Sequence, residues 1–164
     1  MKVHSNMPRR APMKNHANPK PLPVPSEEQW GNYNADLDQN HAHSVFAGRT
    51  NLEARALIRS SPIERLEDLR WMPPAPFRYY MIGLRDLMLA NDFEDLDAPD
   101  AASSFLRLVL YKLEKQPPYI VSIMPELLPA IEYVARNQSL FKAKESIYGS
   151  FLELLTRIHS LYQE

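Results

Sequence analysis

No cysteine occurs in the 164 residues, which removes disulfides, thiolate nucleophiles and cysteine-ligated zinc from the available chemistry. Glycine is scarce, four against fifteen prolines. Hairpins lean on glycine, whereas helices open on proline in their first turn, so this ratio favours helices punctuated by proline. No apolar run approaches the roughly 20 residues that a bilayer span needs, and the basic N-terminus lacks the apolar core of a Sec-type signal. Net charge is also missing: 19 basic residues face 20 acidic ones. That balance argues against a whole chain built for nucleic acid or membrane. A single cytoplasmic domain, large enough for its own core, is the expectation.

Acid is absent from residues 1–25, "MKVHSNMPRRAPMKNHANPKPLPVP", which carry Lys2, Arg9, Arg10, Lys14 and Lys20 together with six prolines. Such a segment buries too little apolar surface to offset the entropy of ordering it, and reads as a disordered basic tail. Nucleic acid, anionic lipid, proline-binding grooves and secretion machinery are the partners such a tail can serve. The remainder, residues 26–164, holds 14 basic and 20 acidic residues, a net charge of −6. Residues 26–49 are polar with isolated Trp30, Tyr33, Leu37, Val45 and Phe46, and read as an irregular arm anchored on the core.

From residue 50 to 164 the signals are helical. Thr50 and Glu53 make a capping box for a helix with Leu52, Ala56 and Leu57 inward. Ser61, Pro62 and Glu64 repeat the device for a second helix carrying Ile63, Leu66 and Leu69. "MPPAP" then forces a corner, and Phe77, Tyr80, Met81, Leu84, Leu87 and Met88 form the best helical stripe in the chain. Trp71, Phe77 and Tyr80 are expected in the core. Arg78 and Tyr79 lie off the stripe and are candidates for a surface role. Glu67 and Asp68 stand where a carboxylate can accept from the N–H groups that open the next helix.

Five acids crowd "NDFEDLDAPD": Asp92, Glu94, Asp95, Asp97 and Asp100. The spacing fails the EF-hand pattern, since the sixth position is Asp97 rather than glycine and the twelfth is Ser103. Asp97 suits a helix cap, and Asp92, Glu94 and Asp95 suit a negative face for a basic partner. Further on, Ala102, Phe105, Leu106, Val109 and Leu113 make a stripe ended by Pro117 and Pro118. "YIVSIM" reads as a short helix. Pro125 opens another helix with Leu128, Ile131, Val134 and Ala135 inward, and Ile147, Phe151, Leu154, Leu155, Ile158, Leu161 and Tyr162 mark a long last one. The fold class is all-α, a compact bundle of about six or seven short-to-medium helices.

Catalytic motifs are wanting. "HAH" at His41 and His43 offers two nitrogens to a metal, but no third ligand recurs at a suitable spacing. No phosphate loop, Gly-x-Ser-x-Gly or His-Glu-x-x-His is present. No catalytic, cofactor or metal residue is assigned.

Two blocks, "HAHSVFAGRTNLEARALI" and "PIERLEDLRWMPPAPFRYYM", with the later "SIYGSF", resemble a set of small uncharacterised bacterial helical proteins. The shared positions are Phe46, Gly48, Arg49 and Thr50, then Glu67, Asp68, Trp71, Met72, Phe77, Tyr79 and Tyr80, then Tyr148 and Gly149, within residues 30–164. The resemblance implies a small helical protein with an immunity or accessory role, and supplies no catalytic residue. The leading functional expectation is a non-catalytic protein-binding module of immunity or antitoxin type that covers the active site of a basic toxin or effector. Its expected contact residues are Asp92, Glu94, Asp95, Asp68, Arg78 and Tyr79. The alternatives are an enzyme built on Asp68, Tyr79 and the histidines, or a secreted effector exported by its N-terminus. No membrane partner is expected, and nucleic acid only through the basic tail.

Overall fold

Proline and side-chain caps set most helix starts in this chain. The computed structural model describes residues 22–163, so the disorder expected of the basic tail lies outside the described residues except at its last four positions. There Val24 packs on the core and Pro25 is buried, so the ordered chain begins earlier than expected. Nine α-helices follow among the described residues: α1 (Leu37–Phe46), α2 (Asn51–Ser60), α3 (Pro62–Trp71), α4 (Pro74–Ala90), α5 (Ala98–Lys115), α6 (Pro117–Ile120), α7 (Met124–Arg136), α8 (Glu145–Tyr148) and α9 (Phe151–Gln163). Proline stands in the first turn of α3, α4, α5, α6 and α7, where its missing N–H costs nothing. Thr50 and Glu53 form the reciprocal capping box that opens α2. The fold is all-α; no strand occurs among the described residues.

The two longest helices, α4 and α5, organise the rest. α4 packs against α2 and α7, and α5 against α3 and α9, while α1 lies on α3. The α4 stripe is buried as its spacing predicts: Phe77, Tyr80, Met81, Leu84, Leu87 and Met88 are all fully enclosed. Each such side chain contributes roughly 1.5–3 kcal/mol relative to exposure. "YIVSIM" is helical, split between α6, a 3₁₀ turn and the start of α7.

Several expectations need correction. Residues 26–49 are not an irregular arm: they contain two 3₁₀ turns and the ten-residue α1, whose first N–H groups donate to Asp36. Trp30 and Phe46 are buried anchors, but Leu37 is 89% exposed. In α2 the buried residues are Ala54 and Ile58, and Leu52 faces out with Ala56. Ile63 and Ile147 are also exposed. Ser61 and Asp97 occupy N-cap positions without a side-chain hydrogen bond. The long last helix is interrupted at Gly149, whose φ of +74° suits glycine and separates α8 from α9.

Candidate functional site

α1 is polar and short, and its attachment to the domain is chemical as much as apolar. Tyr80 on α4 directs its hydroxyl at the carbonyls of Phe46 (2.6 Å) and Arg49 (2.8 Å), just past the end of α1. His43 stacks on Tyr33 with ring centroids 3.6 Å apart and meets the edge of Trp30. Its Nε2–H donates to Glu27 at 2.8 Å, and Tyr33 donates to the same carboxylate at 2.6 Å. Those two bonds, His43 first, hold the Glu27 carboxyl below the usual range. His41, two residues earlier, points elsewhere. Its Nδ1–H donates to Asp68 Oδ1 of α3 at 2.7 Å.

Asp68 is the most enclosed carboxylate among the described residues. It is 5% exposed, with Arg65 Nε 3.0 Å from Oδ2. Arg65 and Asp68 are one turn apart on α3, so the ion pair follows from helical spacing. The approach is out of line for a hydrogen bond, and Oδ2 receives none. A buried carboxylate with one hydrogen-bonded and one unbonded oxygen is held by charge rather than by full hydrogen bonding.

Around this pair α1 and α3 enclose a cleft of about 390 Å³, lined by Asp38, His41, Ile63, Glu64, Glu67, Asp68 and Trp71. Four of its seven lining residues are carboxylates and no lysine or arginine stands among them. Trp71 is only partly buried, which corrects its expected place in the core. Its indole N–H donates to Glu67 Oε1 at 3.1 Å. Glu67 and Asp68 therefore do not cap the next helix; one orients the indole and the other holds His41. Behind α3 a smaller cleft of about 170 Å³ carries Arg70, Arg107 and Tyr111. Arg70 lies over the Tyr111 ring at 4.1 Å and the Trp71 ring at 5.0 Å, so one guanidinium backs the indole whose other neighbours are acidic.

The remaining expected contact residues are used within the chain or stand apart. Tyr79 is 7% exposed, not a surface group. Its hydroxyl accepts from Asn51 N at 3.1 Å, satisfying an open N–H at the start of α2. Arg78 donates to the carbonyls of Tyr119 (3.0 Å) and Pro118 (2.7 Å), tying α4 to α6. Asp92 pairs with Arg59 at 3.3 Å. Glu94 and Asp95 are exposed but do not line the cleft. Only Asp68 of the six joins the constellation. His41 and His43 take separate carboxylates, and no group of three metal-ligating side chains occurs among the described residues.

Sequence reasoning missed Lys112 altogether. It is fully buried, donating to Arg70 O at 2.8 Å and Gln116 Oε1 at 2.6 Å. Its ammonium lies 4.5 Å from the Tyr119 ring and 4.8 Å from Phe77. Burial first, then the nearby Arg70, lowers it from 10.5 to about 8. Arg70 is in the last turn of α3, so the lysine supplies donor and positive charge at that helix's C-terminal end. An aromatic at positions 77, 111 and 119 gives no sequence sign that it surrounds a lysine.

Set against protein families, curated proteins and solved structures, the chain matches none of them.

Proposed function

We propose that the chain is a protein-binding module whose α1–α3 cleft receives a basic side chain of its partner. One observation carries the reading: Asp38, Glu64 and Glu67 converge with the Trp71 indole on one cleft whose lining holds no lysine or arginine, while Asp68 at its base is paired with Arg65 and His41. A lysine or arginine entering there gains carboxylates for its charge and an aromatic face for its stem. Ile63, 53% exposed at the same mouth, adds apolar surface. The partner class is unchanged from the one expected on charge, a basic protein such as a toxin or effector. The contact residues are not: the cleft replaces the loop at Asp92, Glu94 and Asp95 as the recognition site. An immunity-type role is the concrete form of this reading. The acidic surface would raise the association rate and exclude acidic competitors.

The test is binding of lysine- and arginine-containing peptides at low and high salt. Glu64→Gln with Glu67→Gln should weaken binding at least fivefold while leaving the fold intact, because both side chains are exposed. Equal affinity for wild type and the double variant overturns the reading.

A second reading rests on His41 and Asp68 alone. A buried carboxylate that fixes an imidazole through Nδ1 leaves Nε2 available as a general base. Turnover of a cationic substrate, lost in His41→Gln and in Asp68→Asn, would favour it.

A further inference from the structure

We propose that the smaller cleft, between α3 and α5, is an anion site that takes a phosphoryl group between Arg70 and Arg107. It is a second site and does not depend on the acidic cleft, with which it shares only Ile63 and Glu67. Helical spacing builds it. Ile63, Glu67 and Arg70 recur on one face of α3, and Ser104, Arg107 and Tyr111 on one face of α5, so two stripes line one groove. Residues 26–164 carry a net charge of −6, yet this groove sets two guanidiniums against the single carboxylate of Glu67. Lys112, next to Tyr111 in α5, adds a buried third cation close by, donating to Arg70 O at 2.8 Å.

The donors are held in place and only partly used. Arg70 lies over the Tyr111 ring at 4.1 Å, which positions its guanidinium. Among the described residues that guanidinium donates no hydrogen bond. Its Nε is enclosed without an acceptor, and Glu67 Oε2 stands 3.9 Å from Nη1, beyond hydrogen-bond range. A partly exposed pair at that separation contributes little. Arg107 is anchored through Nε to Ser103 Oγ at 3.2 Å and through Nη2 to Tyr148 O at 2.8 Å, which leaves Nη1 for a ligand. The hydroxyls of Ser104 and Tyr111 add two donors to the same cleft. Its volume of about 170 Å³ is about six waters' worth, well below the roughly 300 Å³ where drug-sized sites begin. A phosphoryl group fits that space, with the remainder of an ester lying outward along the exposed Ile63. Near neutral pH a phosphomonoester approaches a dianion, which matches two guanidiniums and takes forked hydrogen bonds from them.

The experiment titrates the full chain with inorganic phosphate, with phenyl phosphate and, at matched ionic strength, with chloride, and follows the arginine Nε–H resonances near neutral pH. Both phosphates should move the Arg70 and Arg107 signals along one saturable curve, and chloride should move neither. Arg70→Gln should weaken binding at least about tenfold, the worth of one charge-assisted hydrogen bond. Tyr111→Phe keeps the ring and should weaken it about threefold. Glu67→Gln should tighten phosphate binding about twofold by removing the competing carboxylate, while it weakens cation binding at the acidic cleft. Glu64→Gln touches only that other cleft and should leave phosphate binding unchanged, so either proposal can fail without the other. Tighter binding of phenyl phosphate assigns an organic ester to the site, and equal binding assigns free phosphate. No saturable movement in the wild type, or an equal response to chloride, overturns the site. So does wild-type affinity in folded Arg70→Gln and Tyr111→Phe, which would leave the two guanidiniums as covers of apolar surface.

Discussion

Asn51 fills the space beside Gly83 that any side chain at position 83 would need. A Cβ built there would stand 2.8 Å from Asn51 Cβ and nearer still to its amide. The amide cannot easily withdraw, since its Nδ2 donates to Tyr79 O at 2.9 Å. The close approach of α2 to α4 thus depends on one glycine and two hydrogen bonds to Tyr79. Gly83→Ala should destabilise by about 1–3 kcal/mol through overpacking, although alanine is the better helix former by about 1 kcal/mol. Urea unfolding decides it: a more stable variant would mean that α2 yields at its N-terminus.

Tyr79→Phe isolates the cap from the packing. It removes only the hydroxyl that accepts from Asn51 N, and should cost about 1 kcal/mol. The same assay on Tyr80→Phe, which loses the link to Phe46 and Arg49, should additionally loosen α1. Faster amide exchange along Leu37–Phe46 in that variant, and not in Tyr79→Phe, is the expected pattern.

The two tryptophans should part company. Trp30 is 1% exposed, and its truncation to alanine should cost about 3–5 kcal/mol. Trp71 is partly exposed at the cleft, and Trp71→Ala should cost about 1–2 kcal/mol, because less of its area returns to water. Its larger effect should fall on binding of cationic peptides. A stability loss equal to that of Trp30 would return Trp71 to the core.

Lys112 gives a pH dependence of defined sign. Its folded value of about 8 lies below the ordinary 10.5, so between those values the unfolded chain holds more proton than the folded one. Stability therefore rises with pH across that window, by up to about 3 kcal/mol. Burial raises the Tyr80 hydroxyl, which opposes the trend above about pH 10 as unfolded tyrosine ionises, so pH 8 to 9.5 is the range to measure. Lys112→Met should flatten the rise there. A slope that persists in the variant would assign it to other groups.

Local signals were legible in the sequence, and pairings across the chain were not. The capping box at Thr50 and the prolines that open α3 through α7 act within four residues, and the α4 stripe repeats without interruption. α1 escaped because its sequence, LDQNHAHSVF, has a weak apolar stripe and is held by Tyr80, Trp30 and two histidine–carboxylate pairs instead. In α2 the apolar residues fall on two faces, and packing against α4 and α3 turns Ala54 and Ile58 to the interior. Asp68 and Tyr79 were singled out, but their partners His41 and Asn51 lie 27 and 28 residues away. Lys112 was invisible for a similar reason: its burial depends on the rings of α4 and α6.

The loop at Asp92, Glu94 and Asp95 offers a control. Changing the three to amides should leave the melting temperature within about 2–4 °C, since exposed pairs such as Arg59–Asp92 contribute little. It should leave cleft binding unchanged at physiological salt, where distant surface charges are screened. A tenfold loss of peptide affinity would restore that loop as the recognition face.

The indole N–H of Trp71 tests the central claim most directly, because it donates to Glu67 inside the cleft while Trp30 is buried elsewhere in the core. With nitrogen-15 in the tryptophans, an oligolysine titration of the full chain should move the Trp71 indole resonance in a saturable way. The Trp30 resonance should stay in place, and the Trp71 shift should vanish in high salt and in Glu67→Gln. An unmoved Trp71 resonance at saturating peptide, or equal movement of both indoles, would contradict a cation-binding cleft between α1 and α3.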